Sequence, residues 1–318
     1  MKIKLYGISI FFSISVLALA AFKIPNANYN IEREVTLGEK LFFDKILSKD
    51  HSISCASCHI PQFAFADTVA FSLGVQGKIG NRNTPSCMNM SEREIFFWDG
   101  RAATLEEQAI MPIENPIEMD LPIDSAINRL QQHILYPALF FKTYGDSIIT
   151  KEKLGRALAT FQRSLETLSP YDKFSNGDEN AISEQAKRGL EIFNVKGRCL
   201  ECHFAGDLTG DEFRNIGLYD EIKYKDKGRY DISKDEKDLG SFKVPGLRNV
   251  AITAPYMHDG SFKTLREVID YYDNPDRFVP HAINRDSLLN TPLMLTEEEK
   301  QDLEAFLHTL TAPQFLKN

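Results

Sequence analysis

Apolar residues recur along this chain mostly at three- and four-residue spacing, and stretches alternating with period two are few, so the predicted elements are helices. Residues 37–43 are apolar on one side and read as helical, after a polar stretch, 25–30, that reads as a flexible lead-in. Thr104, followed by Leu105-Glu106-Glu107-Gln108, is a helix start with a hydroxyl cap and an acidic first turn. Pro112, Pro116 and Pro122 break the chain around residues 114–120. Helices are expected again over 124–132 and 151–168, with Ser169-Pro170 stopping the latter. Asn176-Gly177-Asp178 is a turn, after which Ser183 caps a helix with Ala186, Leu190 and Phe193 on one face. Over 264–273, Leu265, Val268, Ile269 and Tyr272 form one buried face. Tyr271, about 100° round the helix, is expected to face outward. Residues 296–310 close the chain as a helix whose Thr296 and Glu299 make a capping box.

The first half's pattern returns in the second at low identity and with gaps. Gly38-x-x-x-Phe42 matches Gly189-x-x-x-Phe193, and Arg82-Asn83 matches Arg248-Asn249. Asp99-Gly100-x-x-x-Thr104-Leu105-x-Glu107 matches Asp259-Gly260-x-x-x-Thr264-Leu265-x-Glu267, which makes Trp98 and His258 equivalent in position. The expectation is two units related by internal duplication, 31–172 and 173–318, with the terminal helix a candidate to pack back on the first. The second half carries an extra charged loop, 224–238, which reads as a solvated insertion.

Composition narrows the class. A chain of 318 residues, 43% hydrophobic, has room for two packed cores. Lys2 and Lys4, an apolar run over 8–21 and Ala18-Leu19-Ala20 read as a signal peptide, residues 1–21, and hence as export to the periplasm. The formal charge is −8, and cleavage would make it more negative. That argues against nucleic acid and agrees with docking the basic face of a small electron carrier.

The chemistry sits at Cys55-Ala56-Ser57-Cys58-His59 and Cys199-Leu200-Glu201-Cys202-His203. Two thiols three positions apart can each add to a vinyl group of one porphyrin, and the following His then reaches the iron. A single zinc site built from both pairs would have to span about 140 residues and would leave each His without a role. Redox CxxC chemistry does not need the His either. Two covalent haem c groups in cytochrome c-like, mainly α domains are the expectation. The fifth cysteine, Cys87, reads as a small buried hydrophobe.

Function then turns on the second axial position of each iron. The loop after His59, residues 72–83, contains no His or Met, and Met88 and Met90 are the nearest candidates. Without a ligand there, the first iron can bind peroxide, and Gln108 with Glu114 or Glu118 could handle protons. For the second iron, Tyr272 is either a core tyrosine or an axial phenolate, with Met257 and Met294 as rivals. Trp98, the single tryptophan, is either core or an electron relay.

Several motifs carry a family resemblance: Ser54-Cys55-Ala56-Ser57-Cys58-His59, Gly80-x-Arg82-Asn83-Thr84-Pro85, Phe97-Trp98-Asp99-Gly100-Arg101, Val244-Pro245-x-Leu247-Arg248-Asn249 and Ala254-Pro255-Tyr256-Met257-His258-Asp259-Gly260. From about residue 31 onward the sequence resembles the bacterial dihaem cytochrome c peroxidases, a family that includes MauG. The resemblance implies a peroxidatic haem at His59 and an electron-accepting haem at His203. It implies Trp98 between them, Gln108 and Glu118 (rather than Glu114) in the distal pocket, and one calcium ion held by Asn83, Thr253 and Pro255. The expected partners are hydrogen peroxide and a small cytochrome c or cupredoxin donor, with a homodimer left as an open option because the sequence does not fix the oligomeric state. Two positions depart from typical peroxidases. Val75 stands where a capping His is usual, so the first haem should be open when oxidised. Tyr272 stands where Met is usual, as in MauG-like members, which raises the alternative of an oxidase acting on a protein or small molecule through a high-valent two-haem state. A pure electron-transfer protein is the third reading, and the open position beside Val75 argues against it.

Overall fold

The computed structural model describes residues 27–204 and 206–316, with side chains from residue 31. The expected signal peptide, 1–21, lies outside the described residues. Ten α-helices among the described residues carry the fold: α1 (Ala27–Phe43), α2 (Leu105–Glu114), α3 (Ile123–Gln132), α4 (Tyr136–Tyr144), α5 (Lys151–Arg163), α6 (Pro170–Ser175), α7 (Glu184–Asn194), α8 (Tyr230–Ser233), α9 (Leu265–Asp273) and α10 (Glu297–His308). The described residues include one antiparallel pair of strands, β1 (Phe213–Arg214) and β2 (Phe242–Lys243). The chain is mainly α, and no described helix is long and apolar enough to cross a membrane.

Helix pairs organise the two halves. A Cβ placed on Gly38 of α1 would lie 2.0 Å from the Ala157 carbonyl oxygen of α5, so only glycine permits this crossing. Gly189 of α7 meets α10 in the same way, its hypothetical Cβ 1.9 Å from the Asp302 oxygen. Four residues on from each glycine, an aromatic pair closes the crossing. Phe42–Phe161 and Phe193–Phe306 both have centroids 5.1 Å apart, at 58° and 61°. α10 therefore packs on α7, and Phe315, beyond it, packs against the core formed by α1 and α5.

Several expectations are corrected. α1 starts at Ala27, inside the stretch read as a flexible lead-in. Its outer turns need little apolar burial, as exposed Ile31 shows, because they propagate from the packed part of the helix. α5 ends at Arg163, short of 168, because the following segment pairs elsewhere: Asn89 donates its N–H to the Leu165 carbonyl. Ser169-Pro170 begins a helix as well, since Ser169 caps α6 with Asp172 and proline suits the first helical position. Tyr271 does not face outward. It is fully buried among Leu218, Tyr224 and Phe262, and its hydroxyl donates to the Ile216 carbonyl at 2.6 Å. Residues 216–224 cover a face that helical periodicity alone leaves to solvent.

The charged insertion is not merely solvated. Arg82 grips Asp226 through two hydrogen bonds of 2.7 and 2.8 Å. Arg229 donates to the Asp99 and Gly100 carbonyls, both at 2.9 Å. The loop straps the second half onto the Trp98 segment of the first.

Candidate active site

At both CxxCH motifs the backbone makes one tight turn. The His59 and His203 N–H groups each donate to the carbonyl of the first cysteine at 2.9 Å. Each imidazole is oriented by its Nδ1, which donates at 2.9 Å to the Phe65 carbonyl in one case and the Leu208 carbonyl in the other. A carbonyl only accepts, so Nδ1 carries the proton and Nε2 is left for a metal. Burial pulls both pKa values down, that of His203 to about 4, which keeps the rings neutral. All four motif cysteines are free thiols, and burial raises their pKa values, to about 12 for Cys55 and Cys199 and about 11 for Cys58. A neutral imidazole beside two unpaired thiols fits haem c at each motif.

The second motif opens into a cavity of about 280 Å³ bordered by Cys199, Cys202, His203 and the predicted face of α9, Tyr272 included. The Tyr272 phenol makes no hydrogen bond among the described residues. Burial raises its pKa, and the nearby Cys202 and Cys199 thiols add to that. Met257 also borders this cavity, whereas Met294 is 76% exposed and out of reach. Met88 and Met90 border this cavity as well, and Met88 also lies in the core on which Cys55 and Ala56 pack.

Around the first motif, Cys55 and Ala56 pack on the core built by α1, α2 and α5, and the Phe42 ring lies 6.1 Å from His59. Val75 is fully buried, and its N–H donates to the Glu118 carbonyl at 2.8 Å, joining the glycine-rich loop to the proline-rich one. Of the two candidate carboxylates, Glu114 is exposed and Glu118 is half-buried. The Glu118 carboxyl lies close enough to Cys55 and Cys58 for their charges to interact. Burial raises its pKa, while the Arg101 guanidinium and a hydrogen bond from Asn115 pull it back down. Asn115 was not foreseen. Its Oδ1 accepts the Ile117 N–H at 3.1 Å, which turns its Nδ2 toward Glu118 Oε1 at 2.6 Å. The Asn-Pro pair at a helix end was the available signal. Gln108 sits half-buried on α2, its side chain free of hydrogen bonds among the described residues.

Trp98 lies where the two halves meet. Its indole N–H donates to the Asn83 carbonyl at 2.8 Å, and its ring meets His258 edge-on at 6.5 Å. Its own carbonyl accepts the Lys243 N–H at 2.8 Å, and it borders the second cavity. Asn83, Thr253 and Pro255 border that cavity too, and the Asn83 Oδ1 accepts no hydrogen bond among the described residues.

Comparison with known proteins agrees with this geometry. The family model for di-haem cytochrome c peroxidase matches residues 32–180. Methylamine utilization protein MauG of Methylophilus methylotrophus is 39% identical over 293 residues, 90% of this chain and 84% of the relative. Cytochrome c551 peroxidase of Nitrosomonas europaea is 34% identical over 281 residues, 87% of this chain and 80% of the relative. Among solved structures, a MauG-like protein associated with microbial copper homeostasis superposes with a TM-score of 0.80 at 33% identity, covering 90% of this chain and 91% of its own. The diheme peroxidase BthA of Burkholderia thailandensis superposes with 0.79 at 26% identity, covering 89% and 87%. With both attachment motifs intact and relatives matched over most of their length, the chain belongs to the di-haem cytochrome c peroxidase and MauG family.

Proposed function

We propose that this protein is a dihaem c peroxidase that reduces hydrogen peroxide to two waters, with two electrons from a small periplasmic cytochrome c or cupredoxin and two protons. The observation that carries the reading is the half-buried Glu118 carboxyl, held by Asn115 beside the first haem motif, with apolar Val75 fully buried in the loop that packs on it. Cys55, Cys58 and His59 hold one haem, and Cys199, Cys202 and His203 the other. Bound there, the haems would supply two redox-active irons, the first for cleavage of the O–O bond and the second for taking in electrons. Glu118 accepts a proton from one peroxide oxygen and returns it to the other, a role suited to a carboxyl whose pKa burial has raised. Gln108 orients the oxygens. Val75 offers no ligand, which leaves the first site open to substrate. Trp98, bonded to both halves, lies on the electron path between the sites. Asn83, Thr253 and Pro255 would supply oxygen ligands to a calcium ion. The matched glycine crossings and aromatic pairs support two haem units, 31–172 and 173–318, related by internal duplication.

Tyr272 supports a second reading. An unpartnered phenol beside Cys199 and Cys202 suits a phenolate ligand to the second iron, which favours a MauG-like oxidase of a protein or small molecule. Optical and EPR spectra with and without peroxide, together with turnover of a reduced cytochrome, separate the two. A high-spin haem and rapid turnover support the peroxidase. A long-lived oxidised state with poor turnover supports the oxidase. Two low-spin haems inert to peroxide would remove both. Within the peroxidase reading, Glu118→Gln should lower kcat/KM for peroxide by roughly 100-fold or more while both haems stay attached. Turnover close to wild type would exclude Glu118 from proton transfer.

A further inference from the structure

The cavity at Cys199, Cys202 and His203 contains an unpaired cation. Five Lys or Arg residues border it, against a single acid, Asp286. The four arginines are already engaged. Arg93 pairs with Asp207 and Asp211, Arg214 with Glu212 and Asp286, and Arg248 with Asp172 and Asp207. Arg198 donates to the Leu288 carbonyl at 3.0 Å. Lys243 differs. Among the described residues its ammonium has no hydrogen-bond acceptor and no ion-pair partner. Burial and the Arg93 charge draw its pKa down to about 8, against the opposing pull of Asp211 and Asp207.

The residue is placed, not floppy. It lies on β2 opposite Phe213 of β1, and its N–H donates to the Trp98 carbonyl at 2.8 Å. An ammonium carries three donors and no acceptor. Filling the cavity with an apolar macrocycle expels the water that would serve those donors, and a buried cation without acceptors is strongly disfavoured. A haem carries its own acceptors, two propionate carboxylates on one edge. We propose that Lys243 anchors a propionate carboxylate of the haem attached at Cys199 and Cys202, on the edge of the site bordered by Trp98. This rests on the reading that the second motif holds haem c. The same strand then sets both the haem edge and the Trp98 backbone, so the electron-accepting site and the relay share one support.

The test uses the haem-loaded protein and the variants Lys243→Gln and Lys243→Arg. Three quantities are read: covalent haem per chain from the pyridine haemochrome, the propionate-bending band in resonance Raman, and the midpoint potential of the second haem across the neutral pH range. Lys243→Gln should keep two haems, shift the band and move the potential negative, because a positive charge beside the iron is lost. The potential should also become more pH-dependent, since the freed propionate takes up a proton on reduction. Lys243→Arg keeps the charge but changes the hydrogen-bond geometry, so it should restore the potential while the band stays shifted. Two haems with a wild-type band and potential in Lys243→Gln would overturn the proposal. Should that variant fail to load, Lys243→Arg decides: a shifted band supports the anchor and an unshifted band overturns it. A wild-type count of one haem would instead remove the two-haem reading, and the anchor with it.

Discussion

Asn115 controls what the Glu118 carboxyl can do. Its amide favours the ionised form through a 2.6 Å hydrogen bond, against burial, which favours the protonated one. Asn115→Leu removes the amide, so the Glu118 pKa should rise further, by about one unit for a bond to a charged group. The acid limb of kcat/KM for peroxide should move to higher pH by that amount with haem content unchanged, and a static profile would detach Asn115 from the chemistry. Tyr272 permits an equally local test. If its phenolate binds the second iron, Tyr272→Phe should convert that haem from low to high spin in EPR and raise its midpoint potential, because phenolate stabilises ferric iron. An unchanged spectrum would return Tyr272 to the role of a cavity wall. Glu114 and Glu118 show the limit of residue-level reading: they lie in one short proline-rich segment, and only packing makes one exposed and the other half-buried.

At the scale of elements, helix crossings position the haem motifs. α1 delivers Phe42 beside His59, and α7 delivers Phe193 to the border of the second cavity. Both crossings depend on a glycine whose missing Cβ admits a carbonyl from the partner helix. Gly189→Ala should cost at least about 2 kcal/mol in urea unfolding, since overpacking a tight contact typically costs 1–3 and here the obstacle is backbone. A loss below about 0.5 kcal/mol would mean that α10 slides freely past α7. The caps of α2, α7, α9 and α10 were legible because each places Thr or Ser before an acidic first turn, and the side chain of each accepts a hydrogen bond from the third helical residue. α4 was not legible, having neither a capping side chain nor a strongly one-sided pattern. Tyr271 was misread because periodicity reports only which face is apolar, and here a loop covers a second face.

At the scale of the whole molecule, two arginine clasps hold the halves together. Arg82 joins Asp99 and Asp226, and Arg248 joins Asp172 and Asp207. The Arg248 and Asp172 side chains are only 14% and 13% exposed, so their pair is screened less than a surface bridge. Hydrogen bonds from Arg248 and Ser169 outweigh burial and hold the Asp172 pKa below its ordinary value. A carboxylate depressed in the folded state stabilises it above the unfolded pKa, near 3.9, and loses that contribution as pH falls through the folded value. Asp172→Asn should therefore destabilise the protein by about 2 kcal/mol at pH 7, with the gap to wild type closing below about pH 4. Asp207 works in the opposite direction, since burial raises its pKa. A gap that stays constant with pH would show that Asp172 contributes packing rather than charge.

The sequence by itself determined the two haem attachment motifs, the mainly helical class and most of the helix starts, because each is written in neighbouring residues: Cys-x-x-Cys-His, Thr or Ser before an acidic turn, apolar residues at helical spacing. Tertiary structure alone decided that Asn115 orients Glu118, that the charged insertion grips Arg82, and that Lys243, at the border of the cavity beside the second motif, has no side-chain partner among the described residues. Those facts depend on residues far apart in the chain meeting in one place, and spacing along the chain does not encode burial or charge pairing between distant segments.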